Sequence, residues 1–193
     1  NMKYLQIFSH IITCLVEGEF MQMEDVYCID QGIERYMTKT QKKTADFMEG
    51  CMELGGLLGG WSESEIVELK KYGHALGMAF QITDDIMDYR ETTETTGKPV
   101  GNDLREGLLT YPLLSIVNDD NKDKLLEDIK ALNNGGDEQA IIDYVIGQGG
   151  IDNTLAVADQ YCKDALAALD AVRDFPGKEF LVMAVENLAD RKV

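Results

Sequence analysis

Three aspartates with the spacing Asp84-Asp85-x-x-Asp88 end a largely apolar segment, and this cluster is well suited to chemistry. Carboxylates in a low-dielectric site repel one another and take up protons unless a cation compensates them. Mg²⁺ prefers oxygen ligands, so the cluster predicts a magnesium site. Acidic pairs on helices are commonly just solvated, and the metal interpretation depends on these residues facing inward.

A long helix is predicted to position the three aspartates. Apolar residues and glycines recur at steps of three and four before them, and these steps predict one buried face. Extending that face forward reaches Asp84 and Asp88, with Asp85 beside them. Ser62, just ahead of two glutamates, is a predicted N-cap for this helix. The residues on the predicted face are Ile66, Leu69, Gly73, Leu76, Gly77 and Phe80.

A glycine-containing loop with a lysine follows the aspartates, at Thr96-Gly-Lys-Pro-Val-Gly101. Glycine lets backbone approach a ligand closely, and Lys98 offers a positive charge suited to phosphate. Alone, such a loop is typical of an ordinary surface turn. Beside a metal cluster it predicts a cradle for a diphosphate.

Lys43 is a second candidate cation, on a predicted inward face of an earlier helix. A lysine at such a position can extend to solvent, so periodicity alone leaves its role open. Lys39 and Lys42 are interpreted as solvated. The predicted inward face comprises Thr40, Lys43, Phe47, Cys51, Leu54 and Leu58.

Three segments in fixed order resemble the second aspartate-rich region of the trans-isoprenyl diphosphate synthases, the polyprenyl synthetase family. They are Phe80-Gln81-x-x-Asp84-Asp85-x-x-Asp88, Gly97-Lys98-x-x-Gly101-x-Asp103-Leu104 and Thr110-x-Pro112. Two earlier segments resemble the same family. Gly18-Glu19-x-x-Gln22 is interpreted as opening a second helix toward Tyr36, and Tyr36 precedes Lys43-Thr44-Ala45.

The resemblance implies Mg²⁺-dependent ionisation of an allylic diphosphate and its condensation with isopentenyl diphosphate. It also implies a homodimer, and an all-α antiparallel helical bundle of the isoprenoid synthase type over residues 1–193 as a single domain. By the same resemblance, Lys43, Asp84 and Lys98 are catalytic. The substrate-binding residues are Lys43, Thr44, Gln81 and Lys98, and the metal ligands are Asp84, Asp85 and Asp88.

Two departures from the family pattern stand out. Leu108 occupies a position where family members usually carry a lysine that helps to hold diphosphate, and Arg105 could partly compensate for it. In addition, the family's first aspartate-rich motif does not appear before Glu19. The chain opens inside a helical pattern between Met2 and Leu15, which predicts that N-terminal helices are missing and that these 193 residues alone are inactive.

Composition limits the class of protein. Eighteen basic and 35 acidic residues give a net charge of −17, which disfavours binding to nucleic acid or to anionic membranes. Three prolines and abundant helix formers predict a mostly helical chain. The first apolar segment is too short and too interrupted for stable membrane insertion. Four scattered cysteines predict buried thiols in a reducing, cytoplasmic setting. The two histidines are isolated from each other, which argues against a zinc site.

Two functions from other classes remain open. The protein could be a non-catalytic partner subunit of a heteromeric prenyl diphosphate synthase, which Leu108 favours and the three aspartates oppose. It could instead be a helical scaffold with solvated acids, which an exposed Asp84 would favour. Terpene cyclisation shares metal-bound diphosphate, but the segment from Gly97 to Pro112 resembles chain-elongating enzymes. A second acidic run, Asp119-Asp-Asn-Lys-Asp123, is interpreted as a solvated loop.

Overall fold

The computed structural model describes residues 2–90 and 101–190 of the chain. These residues form helices and turns without a strand, which confirms the all-α prediction. Short 3₁₀ turns lie at Ile29–Gln31 and Leu132–Asn134, and a π turn at Gln41–Ala45 joins the second helix to the third. The helices are α1 Met2–Glu24, α2 Gly32–Thr40, α3 Asp46–Leu58, α4 Glu63–Arg90, α5 Asn102–Glu106, α6 Tyr111–Leu114, α7 Lys122–Ala131, α8 Glu138–Gly147, α9 Gly150–Asp170 and α10 Lys178–Asp190.

Helix α4 is the central element, and it packs most extensively against α3 and α9. Its N-terminus begins directly after Ser62, whose backbone N–H donates to the Glu65 carboxylate at 3.1 Å, while the Glu65 backbone N–H donates to the Ser62 hydroxyl oxygen at 3.4 Å. This reciprocal arrangement is a capping box, so the predicted cap is confirmed. Helix α4 has buried side chains on several of its sides, including Tyr72, Ala79 and Ile82. One core cluster lies around its C-terminal half and a second around its N-terminal half.

The prediction of which face of α3 points inward is wrong. Phe47, Cys51 and Leu58 are exposed, whereas Ala45, Gly50 and Gly56 are buried. The π turn explains the difference because it holds one more residue than an α-helical turn. Each residue turns the helix by about 100°, so a periodicity carried unbroken from α2 points to the wrong side of α3.

Helix α1 runs without a break through Gly18, so the prediction that Gly18 opens a second helix is wrong. Among the described residues, one side of α1 has no covering element and forms an apolar surface, which we call the α1 apolar face. Leu54 of α3 adjoins this face beside Leu5 and Phe8. Its exposed members are Met2, Leu5, Phe8, Ile12, Val16, Phe20 and Met23.

No helix in the described ranges has both the length and the apolar character that crossing a bilayer requires. Cys14 and Cys162 are buried as predicted, but Cys51 is exposed.

Candidate active site

A cavity of about 280 Å³ lies where α2, the π turn, α4 and the segment following α5 meet. It brings together most of the predicted site residues that the structure describes. The lining residues are Gln22, Tyr36, Lys39, Thr40, Lys43, Thr44, Gln81, Asp84, Asp85, Asp103, Leu108, Leu109 and Thr110. Lys98 and the rest of residues 91–100 lie outside the described residues.

Asp84 is exposed and faces the cavity, which corrects the prediction that it lies on the buried side of α4. The prediction extended that side from Leu76 in four-residue steps. Each such step overshoots a full turn by about 40°, so the two steps to Asp84 rotate the face by about 80°. Exposure is what the scaffold alternative expects, but Asp84 is exposed into a cavity that also holds Lys43.

Asp85 is the buried member of the set, with only 3% of its surface exposed. The Tyr36 hydroxyl donates to one carboxylate oxygen at 2.5 Å, and the Gln81 amide donates to the other at 3.1 Å. The Thr44 hydroxyl donates to Gln81 in turn, at 3.0 Å. Burial raises the pKa of Asp85 to about 6, although both hydrogen bonds oppose the shift. Gln81 and Thr44 thus orient a carboxylate as well as lining the cavity.

Asp84, Asp85 and Asp103 form an acidic wall of the cavity, and Asp88, the third predicted ligand, does not line it. Asp88 accepts the backbone N–H groups of Asn102 and Asp103 at 3.0 and 3.1 Å, which ties α4 to the start of α5. Burial, followed by the negative charges of Asp88, Asp85 and Asp84, raises the pKa of Asp103 to about 7. Sequence reasoning placed Asp103 in a family motif but not among the site residues. The left-handed backbone of Gly101, just before α5, helps to turn Asp103 toward α4.

The donor set fits a cation, although not as a complete cage. In the described part of the chain, the carboxylates of Asp84, Asp85 and Asp88 do not lie close enough together for all three to bind one ion. Mg²⁺ is commonly held by one or two carboxylates together with substrate phosphate oxygens, so a partial set suits it. Burial is the main cause of the raised pKa of Asp103, and the nearby carboxylates raise it further, a repulsion that a cation would relieve.

Lys43 lies in the π turn, at the closest approach of three elements. A Cβ atom at Gly18 of α1 would lie 2.7 Å from the Lys43 backbone nitrogen, and one at Gly77 of α4 would lie 2.6 Å from the Ala45 Cα. Only glycine permits this packing, which offsets its cost within a helix. The Lys43 ammonium donates to the Gln22 side chain at 2.8 Å and lies 3.1 Å from the Glu19 carboxylate. The family-like segment on α1 therefore aims Lys43.

The other cations correct two predictions. Lys39 is buried rather than solvated, with 8% of its surface exposed, and it lines the cavity. Arg105 forms an ion pair with Glu138 of α8 and does not line the cavity, so it does not replace a lysine at position 108. Leu108 itself lies in the cavity wall. The run at 119–123 is a solvated turn as predicted, with Asp119 almost fully exposed.

Comparison with known proteins supports the same family. The family model described as polyprenyl synthetase matches residues 1–147. Heptaprenyl diphosphate synthase component 2 of Geobacillus stearothermophilus is 32% identical over 89% of this chain and 54% of its own length. A decaprenyl diphosphate synthase structure from Rhodobacter capsulatus superposes with a TM-score of 0.89 at 27% identity, over all of this chain and 61% of that one.

A further structure, a polyprenyl synthase from Caulobacter crescentus CB15 complexed with calcium and isoprenyl diphosphate, superposes with a TM-score of 0.86 at 30% identity. The superposition covers all of this chain and 60% of that structure's chain. The chain spans about half the length of the curated relatives that it matches.

Proposed function

The chain belongs to the polyprenyl synthetase family, and on that premise we propose that the protein is a trans-prenyltransferase. It condenses an allylic diphosphate with isopentenyl diphosphate and lengthens the allylic chain by one isoprene unit. The observation that carries the proposal is the single cavity that holds Lys43 opposite an acidic set of Asp84, Asp85 and Asp103. Carboxylates beside a lysine are what a metal-bound diphosphate requires.

The chain's own residues have distinct parts in this reaction. Asp84, Asp85 and Asp88 would hold Mg²⁺, with one or two of these carboxylates on an ion together with diphosphate oxygens. Bound Mg²⁺ supplies charge neutralisation for the departing diphosphate. Lys43, aimed by Gln22, binds the diphosphate oxygens and stabilises the charge that develops as the allylic carbon–oxygen bond breaks. We assign Lys98, outside the described residues, the same task.

The neighbouring polar residues hold this arrangement in place. Gln81 and Thr44 form a chain of hydrogen bonds to Asp85 and present their remaining polar atoms to the substrate. Their fixed orientation means that little reorganisation is needed when charge develops.

The test is transfer of label from isopentenyl diphosphate to an extended product by the intact protein with Mg²⁺ and an allylic diphosphate. We expect Lys43→Gln to lower kcat/KM by about tenfold or more, as expected for loss of a charged hydrogen bond. Lys42→Gln is the matched control, because Lys42 pairs with Glu17 and does not line the cavity. Equal rates for the two variants, or no product from the unaltered protein, would overturn the assignment.

The name of one relative, component 2 of a heptaprenyl diphosphate synthase, supports an alternative in which the protein is a partner subunit that acts within a heteromer. This reading expects product only after a second, different chain is added. A product formed by the intact protein alone would exclude it.

A homodimer is part of the proposal, formed with a second copy on the α1 apolar face. This face presents apolar side chains at steps of three and four along α1, as helix–helix contacts do. Phe8→Glu in the intact protein should lower the mass measured by light scattering to that of a monomer. Glu substitution at Val67, an exposed apolar residue on α4, is the control.

A further inference from the structure

Lys39 is a buried lysine that the proposed reaction does not use. Its side chain is 10% exposed, and it lines the same cavity as Lys43, which follows it by about one turn. Lysine is almost never this buried unless it has a partner or a task, since removing an ammonium group from water is costly. Burial accordingly lowers the pKa of Lys39, against the opposing charges of Asp25 and Asp85.

The contacts of Lys39 leave it able to bind an anion. Its ammonium donates to the Gln31 side-chain oxygen at 3.2 Å and lies 3.6 Å from Asp25, beyond hydrogen-bond distance. An ammonium has three N–H donors, and the Gln31 bond and the longer ion pair with Asp25 leave at least one for a ligand. The buried Asp25 carboxylate already accepts a 2.5 Å bond from Arg35, so it does not belong to Lys39 alone.

Gln31 fixes the direction of this lysine. Its amide nitrogen donates to the Leu109 carbonyl at 3.3 Å, while its amide oxygen accepts from Lys39. One side chain therefore ties the Lys39 ammonium to the wall formed by Leu108 and Leu109. That wall presents an apolar residue at position 108. Among the described lining residues, Lys39 and Lys43 are the two cations of the cavity.

We propose that Lys39 binds the substrate diphosphate from the side of the cavity where Leu108 stands, as a second cation beside Lys43. The inference rests on the proposed function, because it assigns a ligand to the same cavity. It supplies from α2 the positive charge that the segment after α5 lacks. Arg105 does not perform this role because its guanidinium is paired with Glu138.

The experiment is titration calorimetry of inorganic pyrophosphate into the intact protein with Mg²⁺. Lys39→Met keeps the length of the side chain and removes its charge, and we expect affinity to fall by about tenfold. Lys39→Arg should retain most of the affinity. Lys124→Met is the matched control, because Lys124 is exposed on α7 and pairs with Asp128. Leu108→Lys should restore binding in the Lys39→Met background and tighten it less in the unaltered protein.

The outcomes separate the two proposals. If Lys39→Met binds like the control while Lys43→Met loses affinity, Lys39 is a structural partner of Asp25 and the inference is overturned, with the proposed function intact. If neither variant loses affinity, the proposed function fails as well. If Lys39→Met does not fold, the pair Lys39→Met with Asp25→Asn removes both buried charges and is titrated in its place. Retained affinity in that pair overturns the inference, and a tenfold loss with a normal thermal midpoint supports it.

Discussion

Replacing Asp103 with asparagine should stabilise the metal-free protein at alkaline pH. The folded protein holds a proton on Asp103 up to about pH 7, whereas the ordinary pKa of 3.8 means that the unfolded chain releases it near pH 4. A folded-state pKa above the unfolded one contributes stability that is complete below about pH 4 and lost as pH rises to about 7. Asparagine carries no ionisation cost at any pH.

The size of this effect follows from the shift. Roughly three pKa units at about 1.4 kcal/mol each give an upper bound of about 4 kcal/mol above pH 7. Asp103 is only partly buried, so solvent screening reduces this figure. We therefore expect Asp103→Asn to raise the free energy of unfolding by about 2–3 kcal/mol at pH 8 and by about half as much at pH 5.5.

Urea denaturation in the presence of EDTA, at pH 8 and at pH 5.5, measures both values. Asp119→Asn is the control, since this fully exposed carboxylate should change the free energy of unfolding by less than about 0.5 kcal/mol. An advantage for Asp103→Asn that is absent at pH 8, or equally large at pH 5.5, would refute the reasoning. Mg²⁺ should narrow the gap at pH 8, because a bound cation relieves the same repulsion in the unaltered protein.

Three further outcomes are expected. Gly18→Ala should destabilise the protein by about 1–3 kcal/mol in denaturant, because its Cβ would meet the Lys43 backbone, whereas Gly55→Ala, with open space, should not destabilise it. Tyr36→Phe should lower the free energy of unfolding by about 1–3 kcal/mol. It should also raise the pKa of Asp85 further, because the lost hydrogen bond favours the ionised carboxylate, and carboxyl NMR titration measures this shift. Removing Mg²⁺ with EDTA should weaken pyrophosphate binding in calorimetry by tenfold or more, and an unchanged affinity would contradict the assigned role of the acids.

Local patterns predicted much of the fold because they report local physics. The cap at Ser62 and the long helix that follows it lie where the capping residues and the periodicity place them. These features depend on residues within one or two turns of each other, which a linear sequence displays directly.

The errors arise where one element fixes the environment of another. The residue type and local sequence of Lys39 predict a solvated side chain, yet it forms an ion pair with the buried Asp25, which lies in the turn after α1. Asp84 and Asp85 differ in burial because Asp84 is exposed into the cavity, whereas Asp85 is covered by contacts with Tyr36 and Gln81. Asp103 became part of the acidic wall through backbone N–H bonds to Asp88, fifteen residues away in the chain. None of these contacts has a periodicity to detect.

The π turn at Gln41–Ala45 has a consequence for how the protein can change by mutation. Substitutions alter the side chain at position 43 but not the direction in which it projects. Loss of a single codon within the turn would convert it to an α-helical turn and rotate everything beyond it by about 100° relative to α2. Deletions there should therefore abolish function far more often than deletions in the Gly135–Gly136 loop. The number of residues in this turn is therefore as strict a requirement for function as the Lys43 side chain that the turn carries.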